Sequence, residues 1–377
     1  MRVESLYVCH FRNLEKQEVK LVQGLNELIG PNAQGKTSVL EALHLLIIGS
    51  SFRTNQLRDL IKHGEKAFLI EARVNISGVE KTIALKYDGE RRSVTLDGEL
   101  QETTSSLLGN LLGVTATPED QELIFGPPAL RRRFLDEQIS QIDPFYLDQL
   151  KRYSRALSQR NRLLKKKEFH TMSAWEEQLA KAGAYIVQQR RATVDLLFPM
   201  VQEAYHTLFP YREKETLCLK YTSQPPLAEK EVEAWYINQY ASRRDYEARV
   251  AATLIGPHRD DIEWSIQERP LRSLASLGQA RSAALALRLA EWKLLFNRSH
   301  EEPIFLIDDF ESSLDAERRS FMLSTCASFE QTILTAHALQ DEKSSRIELR
   351  YTQTSGGIGF RQLNELAGMG MHPITKS

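Results

Sequence analysis

The segment Gly30-Pro-Asn-Ala-Gln-Gly35-Lys36-Thr37 has the pattern GxxxxGK[ST] and stands between an apolar run, Leu25 to Ile29, and a helical pattern from Thr37 to Ile48. Such a loop works only when a strand delivers it and a helix N-terminus follows it, because backbone N–H groups must close around phosphates. The chain is therefore committed to a sheet that contains this strand. A second constraint lies far downstream. Pro303-Ile-Phe-Leu-Ile-Asp308-Asp309 reads as a buried strand ending in two carboxylates, and in a P-loop sheet such a strand lies beside the phosphate loop. Both chain ends must then contribute to one α/β unit.

The residues between these points change character twice. Val3 to Cys9 and Val19 to Val22 read as strands. Phe68 to Ile76, Lys81 to Tyr87 and Ser93 to Leu96 form an antiparallel meander with Ser77-Gly78 and Asp88-Gly89 at its turns and Asp97-Gly98 after its third strand. From Pro128 to Tyr211 the apolar spacing is helical, Pro225-Pro226 marks a loop, and a further helical stretch runs to Thr253. After Gly256-Pro257 strand and turn character returns. A helix (Gln279 to Phe296), a strand (Ile304 to Ile307), a helix (Ala316 to Ser328) and a strand (Thr332 to Thr335) follow. The expected division is an N-terminal ATPase part over 1–117, a helical insertion lobe over 118–253 and a C-terminal ATPase part over 254–377.

Composition narrows the function classes. A chain of 377 residues has room for about two globular domains. Its longest apolar stretch, Val39 to Ile48, is too short for a membrane span. No basic-then-apolar leader is readable, and Cys9, Cys218 and Cys326 have no metal spacing, so a cytoplasmic protein without a membrane is expected. The formal charge of −1 gives no hint of nucleic acid. Local charge does, because Arg131 to Glu168 holds 11 Lys/Arg against 5 Asp/Glu. Arg131, Arg132, Arg133, Lys151, Arg152, Arg155, Arg160, Arg162, Lys165, Lys166 and Lys167 are either a solvated helical face or a track for a phosphate backbone.

The motif residues suggest roles. Gly30, Pro31, Asn32, Ala33, Gln34 and Gly35 would wrap the phosphates, Lys36 would reach the β/γ oxygens, and Thr37 with Asp308 would hold Mg²⁺, with Ser38 next in the same turn. Asp309 could orient or deprotonate an attacking water. Ser276-Leu277-Gly278-Gln279, 32 residues before Asp308, starts a helix. Ser276 suits an N-cap. The hydroxyl, N–H groups and dipole there equally suit an anion, such as the γ-phosphate of a nucleotide held by a second subunit.

Read in order, Phe11-Arg12-Asn13, Gly30 to Ser38, Ser51-Phe52-Arg53-Thr54, Pro118-Glu119-Asp120, Arg131 to Asp136, Gly256 to Asp261, Ser276 to Arg281 and Leu306 to Asp315 resemble the motifs of the RecF family, within the SMC-like ABC ATPase heads. The resemblance covers nearly the whole chain. It implies an α/β ABC-type P-loop ATPase head built from both chain ends, with an inserted, mainly helical second lobe. It implies that Gly30 to Thr37 is Walker A, Asp308 the Walker B carboxylate and Asp309 the catalytic acid, which is Glu in most ABC proteins. Ser276, Gly278 and Gln279 would belong to the signature, Ser312 to Asp315 to the D-loop, His337 would be the switch histidine and Arg12 a nucleotide contact. It further implies ATP and Mg²⁺ as cofactors and a homodimer that closes on ATP around duplex DNA near gaps and single-strand to double-strand junctions, with slow, DNA-stimulated hydrolysis. RecR is the expected partner, with RecO and RecA engaged indirectly in recombinational repair.

The sequence departs from the family pattern at Leu277, the second signature position, and at Ala280, where Gln or Lys is common. No clear Q-loop glutamine is readable; Gln121, after Pro118-Glu119-Asp120, is only a candidate. The alternative is a related SMC-like ATPase of a nuclease-linked or phage-defence system, although no second catalytic domain is readable. Transporter ATPase subunits lack a large insertion between positions like Lys36 and Ser276. Long SMC arms need heptads that Gly183, Pro199, Pro210 and Pro225-Pro226 interrupt. A scaffold that holds ATP as a timed clamp also stays open, because Asp309 is one methylene shorter than Glu.

Overall fold

The computed structural model of the chain describes residues 1–31, 33–209, 215–225, 231–309, 316–336 and 359–362. Asn32, the expected D-loop from Ser312 to Asp315, and His337 lie outside the described residues. Two compact units are present. The first is Met1–Asp120, His206–Tyr211 and Leu285–Ser377, and the second is Gln121–Tyr205 and Arg212–Ala284.

The first unit opens with β1 (Arg2–Phe11), β2 (Leu14–Lys20), β3 (Gly24–Ile29), α1 (Lys36–Ile48), β4 (Phe68–Ile76), β5 (Val79–Tyr87), β6 (Arg92–Leu96), β7 (Glu99–Leu100) and β8 (Gly113–Ala116). The second unit carries α2 (Glu122–Phe125), α3 (Pro128–Ser140), α4 (Pro144–Lys166), most of α5 (Met172–Leu208), β9 (Leu217–Thr222), α6 (Val232–Val250), β10 (Asp261–Ile266), β11 (Arg269–Pro270) and α7 (Leu271–Leu274). Helix α8 (Leu277–Ser299) begins in the second unit and ends in the first, which β12 (Ile304–Ile307), α9 (Ala316–Ala327), β13 (Gln331–Ala336) and β14 (Gly359–Gln362) complete.

Two sheets build the first unit. The antiparallel one has the order β2-β1-β4-β5-β6-β7, and its hairpins turn at Ser77-Gly78 and Asp97-Gly98, where all four residues have positive φ. This left-handed pair matches the twist of the flanking strands, which is why Gly follows Ser or Asp there. The other sheet has the order β14-β3-β13-β12-β8, with β3, β13, β12 and β8 parallel. Every residue of β8, β12 and β13 is buried, as a parallel strand covered on both faces requires. Helix α1 packs against β1 and β5 of one sheet and β8, β12 and β13 of the other, so it is apolar on nearly all sides. The parallel sheet joins strands from both chain ends around the P-loop strand.

Two features differ from the sequence reading. Strand β8 was not anticipated, since Gly113-Val-Thr-Ala116 is four residues without alternation. The segment from Leu254 to Ala284, expected with the C-terminal ATPase part, belongs to the second unit. The reason is that β10 pairs antiparallel with β9, from Asp261↔Thr222 to Ile266↔Leu217, and packs on α3. Among the described residues no helix is long and apolar enough to cross a membrane.

Candidate nucleotide site and basic face

β3 delivers Gly30 to the edge of the parallel sheet and α1 starts at Lys36, so the phosphate-loop pattern sits at a strand-to-helix junction. Gly35 has φ 102°, and a Cβ there would lie 2.5 Å from Leu14 Cδ2 and 3.2 Å from Asn13. Glycine is required both by backbone angle and by space. Asn13 braces the loop from the other side: its Nδ2 donates to Ala33 O at 2.8 Å, and its Oδ1 accepts from Ser38 Oγ at 2.8 Å. Lys36 is buried, with Nζ donating to Gly30 O across the loop.

Strand β12 ends at the same edge. Thr37 Oγ1 donates to Asp308 Oδ1 at 2.9 Å, and Thr335 Oγ1 at the end of β13 donates to the same oxygen at 2.8 Å. Thr335 Oγ1 also accepts from Asp309 N at 2.8 Å, where Asp309 has φ 46°. A non-glycine residue held in this region stores backbone strain. Thr335 thus fixes both acids, a role the sequence did not reveal. Burial raises the Asp308 carboxyl above its usual range, the bonds from Thr335 and Thr37 oppose that rise, and the charges of Asp309 and Glu119 add to it. Thr37 and Asp308 offer the hard oxygens that Mg²⁺ prefers, so the residues present fit that ion.

Arg12, next to the Asn13 that braces the loop, is held by groups of its own unit. Its Nε and Nη2 bind Glu41 Oε2 and Oε1 at 2.9 and 2.6 Å, and Nη1 donates to Asp59 O at 3.0 Å. Glu41 is wholly buried on α1 and also accepts from Ser51 Oγ and Arg53 Nη1. Ser51 Oγ in turn accepts from Arg53 N and Thr54 N, which explains the Ser51-Phe-Arg-Thr54 pattern as a turn locked onto α1.

In the second unit Ser276 and Gln279 form a reciprocal cap on α8. Gln279 N donates to Ser276 Oγ at 3.2 Å and Ser276 N to Gln279 Oε1 at 2.9 Å. The Ser276 O–H remains a donor, and the first-turn N–H groups of Leu277 and Gly278 have no intrahelical acceptor. Leu274 and Leu277 flank this exposed cap at 54% and 50% exposure. Ala280 is fully buried, so packing explains why a small residue replaces Gln or Lys there. Gln121 Oε1 accepts from Arg281 Nε at 3.2 Å, which ties this Q-loop candidate to α8.

The eleven basic residues separate into two groups. On α4 Tyr146, Gln149, Tyr153, Ala156, Arg160, Leu163 and Leu164 are buried, whereas Lys151, Arg152, Arg155, Arg162, Lys165 and Lys166 are exposed, as is Lys167 just beyond the helix. The exposed set runs about 22 Å along the helix, at 1.5 Å per residue. Arg160 is corrected out of this face. It is fully buried, pairs with Glu247 at 2.6 Å and Glu176 at 3.0 Å, and donates to Thr253 Oγ1.

Arg131 is corrected likewise. Its Nε and Nη2 bind Asp261 at 2.7 and 2.9 Å and Nη1 donates to Gly126 O and Leu123 O. Arg132 Nη1 donates to Asp260 O and Arg133 Nε to Glu137, and both are half-buried.

The Arg131 to Asp136 and Gly256 to Asp261 motifs are therefore two sides of one interior network. Asp136 accepts from Arg190 and Tyr146, Arg190 Nη1 donates to Pro257 O, Tyr221 Oη donates to Asp260 Oδ2 at 2.6 Å, and Tyr153 Oη bonds to His258 Nδ1 at 2.6 Å. Burial pushes His258 down to about 4 and Asp260 up to about 6.

Comparison with known proteins agrees with this architecture. The RecF/RecN/SMC N terminal domain family matches residues 2–355. The DNA replication and repair protein RecF of Protochlamydia amoebophila is 39% identical over 336 residues, covering 89% of this chain and 94% of that one. The protein of that name from Halothermothrix orenii is 35% identical over 345 residues, covering 89% and 92%. A solved structure of the recombination mediator protein RecF with ATP, in the RecFOR pathway, superposes with a TM-score of 0.84 at 32% identity, covering 90% and 93%. The Smc head domain of Pyrococcus furiosus shares the fold, with a TM-score of 0.50 at 16% identity and 89% coverage of both chains.

Proposed function

The chain belongs to the RecF family, whose fold is an SMC-type ATPase head, and from that premise we propose that it is an ATP-gated DNA clamp of recombinational repair. The observation that carries the reading is the Thr37–Asp308 bond, which joins the phosphate loop of one chain end to the acidic strand of the other. Gly30 to Gly35 and Lys36 bind the triphosphate, and Thr37 and Asp308 would hold Mg²⁺, which supplies charge neutralisation between the phosphates. Asp309 holds the attacking water. Being shorter than Glu and strained at φ 46°, it suits slow turnover.

The cap at Ser276 supports a composite site. A complete phosphate loop leaves this second anion-binding helix end without a role inside its own chain, and the exposed Leu274 and Leu277 beside it suit coverage by a second copy. Two heads would close on two ATP molecules, bringing two copies of the α4 face to duplex DNA, whose phosphates the exposed Lys and Arg contact without reading sequence. RecR is the partner expected from the RecFOR relatives, with RecO and RecA acting through it at gaps and junctions. The test is nucleotide and duplex binding by the whole chain. A protein that binds neither ATP nor duplex DNA overturns the reading.

A further inference from the structure

Helix α5 is 37 residues long, and its middle turns one face to solvent. Leu179, Ile186, Arg190, Val194 and Leu197 are buried within the second unit. On the opposite side Lys181, Gln188, Ala192 and Asp195 are exposed and Ala184, Tyr185 and Arg191 half-buried. Their spacings of three and four make them one stripe. An open groove of about 460 Å³ follows this stripe and is also lined by Phe145 of α4 and Val232 of α6. Phe145 is 54% exposed and edge-on to Tyr185, with ring centroids 4.7 Å apart. Lys181 and Asp195 make no hydrogen bond or ion pair among the described residues. A cation and an acid thus stand free on one helix face, about 21 Å apart at 1.5 Å per residue.

The stripe is complementary to itself about Gln188. Two antiparallel helices related by a two-fold axis there bring together residues equally far before and after it. Lys181 then meets Asp195, Tyr185 offers its ring to the Arg191 guanidinium, and Ala184 meets Ala192, small against small, so the helices can approach closely. No like charges face each other in this span. Tyr185 and Arg191 are already fixed, by Asp143 and Ser223 at 2.8 and 3.1 Å, so little side-chain freedom is lost on contact. We propose that this face of α5 is a self-association surface, pairing antiparallel with the same face of a second copy. It lies wholly in the second unit and uses none of the residues assigned to nucleotide. One helix contact about 21 Å long is small beside the interfaces that hold dimers in dilute solution. The pairing therefore acts where copies are concentrated, as side by side on one duplex, and only that setting rests on the DNA reading above.

The test is disulfide formation by the full chain at high concentration in mild oxidant, without nucleotide or DNA. Gln188→Cys places a thiol on the axis, facing its own copy. Glu177→Cys lies on the same stripe but would hold the two thiols about 33 Å apart, beyond any bridge. The wild type reports the background from Cys9, Cys218 and Cys326. Gln188→Cys should form covalent dimer about 10-fold faster than Glu177→Cys or wild type. Adding Lys181→Asp or Asp195→Lys makes both symmetric pairs like-charged and should slow the reaction about 5-fold, and the two together should restore it. Restoration by the double swap cannot come from lost folding. Equal rates for Gln188→Cys and Glu177→Cys overturn the proposal, and the face then belongs to a different partner or to water. A double swap that stays as slow as either single reversal overturns it too, because the antiparallel register requires the exchange to be neutral.

Discussion

Arg155, Arg162, Lys165 and Lys166 lie on the exposed face of α4, and Arg160 on the same helix is fully buried between Glu176 and Glu247. Replacing the four exposed residues by Gln removes up to four phosphate contacts. Each contact carries a slope of about 0.9 in log affinity against log salt, so the slope should flatten by up to about 3.6. Between about 50 and 200 mM salt the wild type should lose about 150-fold more affinity than this variant. Its stability should change by less than about 0.5 kcal/mol per site, since these side chains face water. Arg160→Gln should do the reverse. It leaves Glu247 buried without its cation, costing about 3–5 kcal/mol, while the salt slope of the folded protein stays as it was. Fluorescence anisotropy with a short duplex at four salt concentrations, paired with urea unfolding, measures both. An unchanged slope in the fourfold variant would make the face merely solvated. A flattened slope in Arg160→Gln at full stability would refute the division of the basic residues.

Other outcomes follow from the same geometry. Lys36→Met should lose ATP binding, whereas Asp309→Asn should bind ATP and fail to hydrolyse it; filter binding beside phosphate release separates the two, and normal ATP affinity in Lys36→Met would reject the phosphate-loop assignment. Mixing Lys36→Met with Ser276→Arg should restore roughly a quarter of wild-type turnover if sites are composite and independent, because about half the dimers keep one intact site; Ser276→Arg alone with wild-type turnover contradicts a shared site.

The interior network carries a pH signature. His258, lowered to about 4, is protonated first in the unfolded state, so its contribution is complete above about pH 6.5 and is lost as pH falls toward 4. Asp260, raised to about 6, is protonated first in the folded state, so it lowers stability above that pH and this cost disappears toward pH 4. The two nearly cancel in the wild type, at about 3 kcal/mol each. His258→Gln should therefore gain stability relative to wild type between pH 6 and 4, and Asp260→Asn should lose it; parallel urea midpoints for all three proteins would contradict the assignment.

Much of this was legible because local chemistry wrote it into the sequence. Ser77-Gly78 and Asp97-Gly98 mark tight turns by residue type alone, and Gly35-Lys36-Thr37 marks a phosphate loop by spacing. The Ser276 and Gln279 cap was half legible, as Ser276 is a natural N-cap and Gln279 stands three residues on. What escaped depends on residues distant in the chain. Thr335 matters because parallel pairing of β12 and β13 sets it against Asp308, 27 residues away. Arg131 and Arg160 look like any other cation in a basic cluster until Asp261, Glu176 and Glu247 fold against them. A buried strand as short as β8 carries no period to read.

Sedimentation velocity of the full chain with Mg²⁺·ATP and a short duplex, against the same sample without nucleotide, tests the ATP-gated clamp most directly. The account predicts a monomer without ATP, a dimer holding one duplex with ATP, and monomers throughout for Lys36→Met and Ser276→Arg. A chain that stays monomeric on DNA with ATP, or one that dimerises equally without nucleotide, contradicts it.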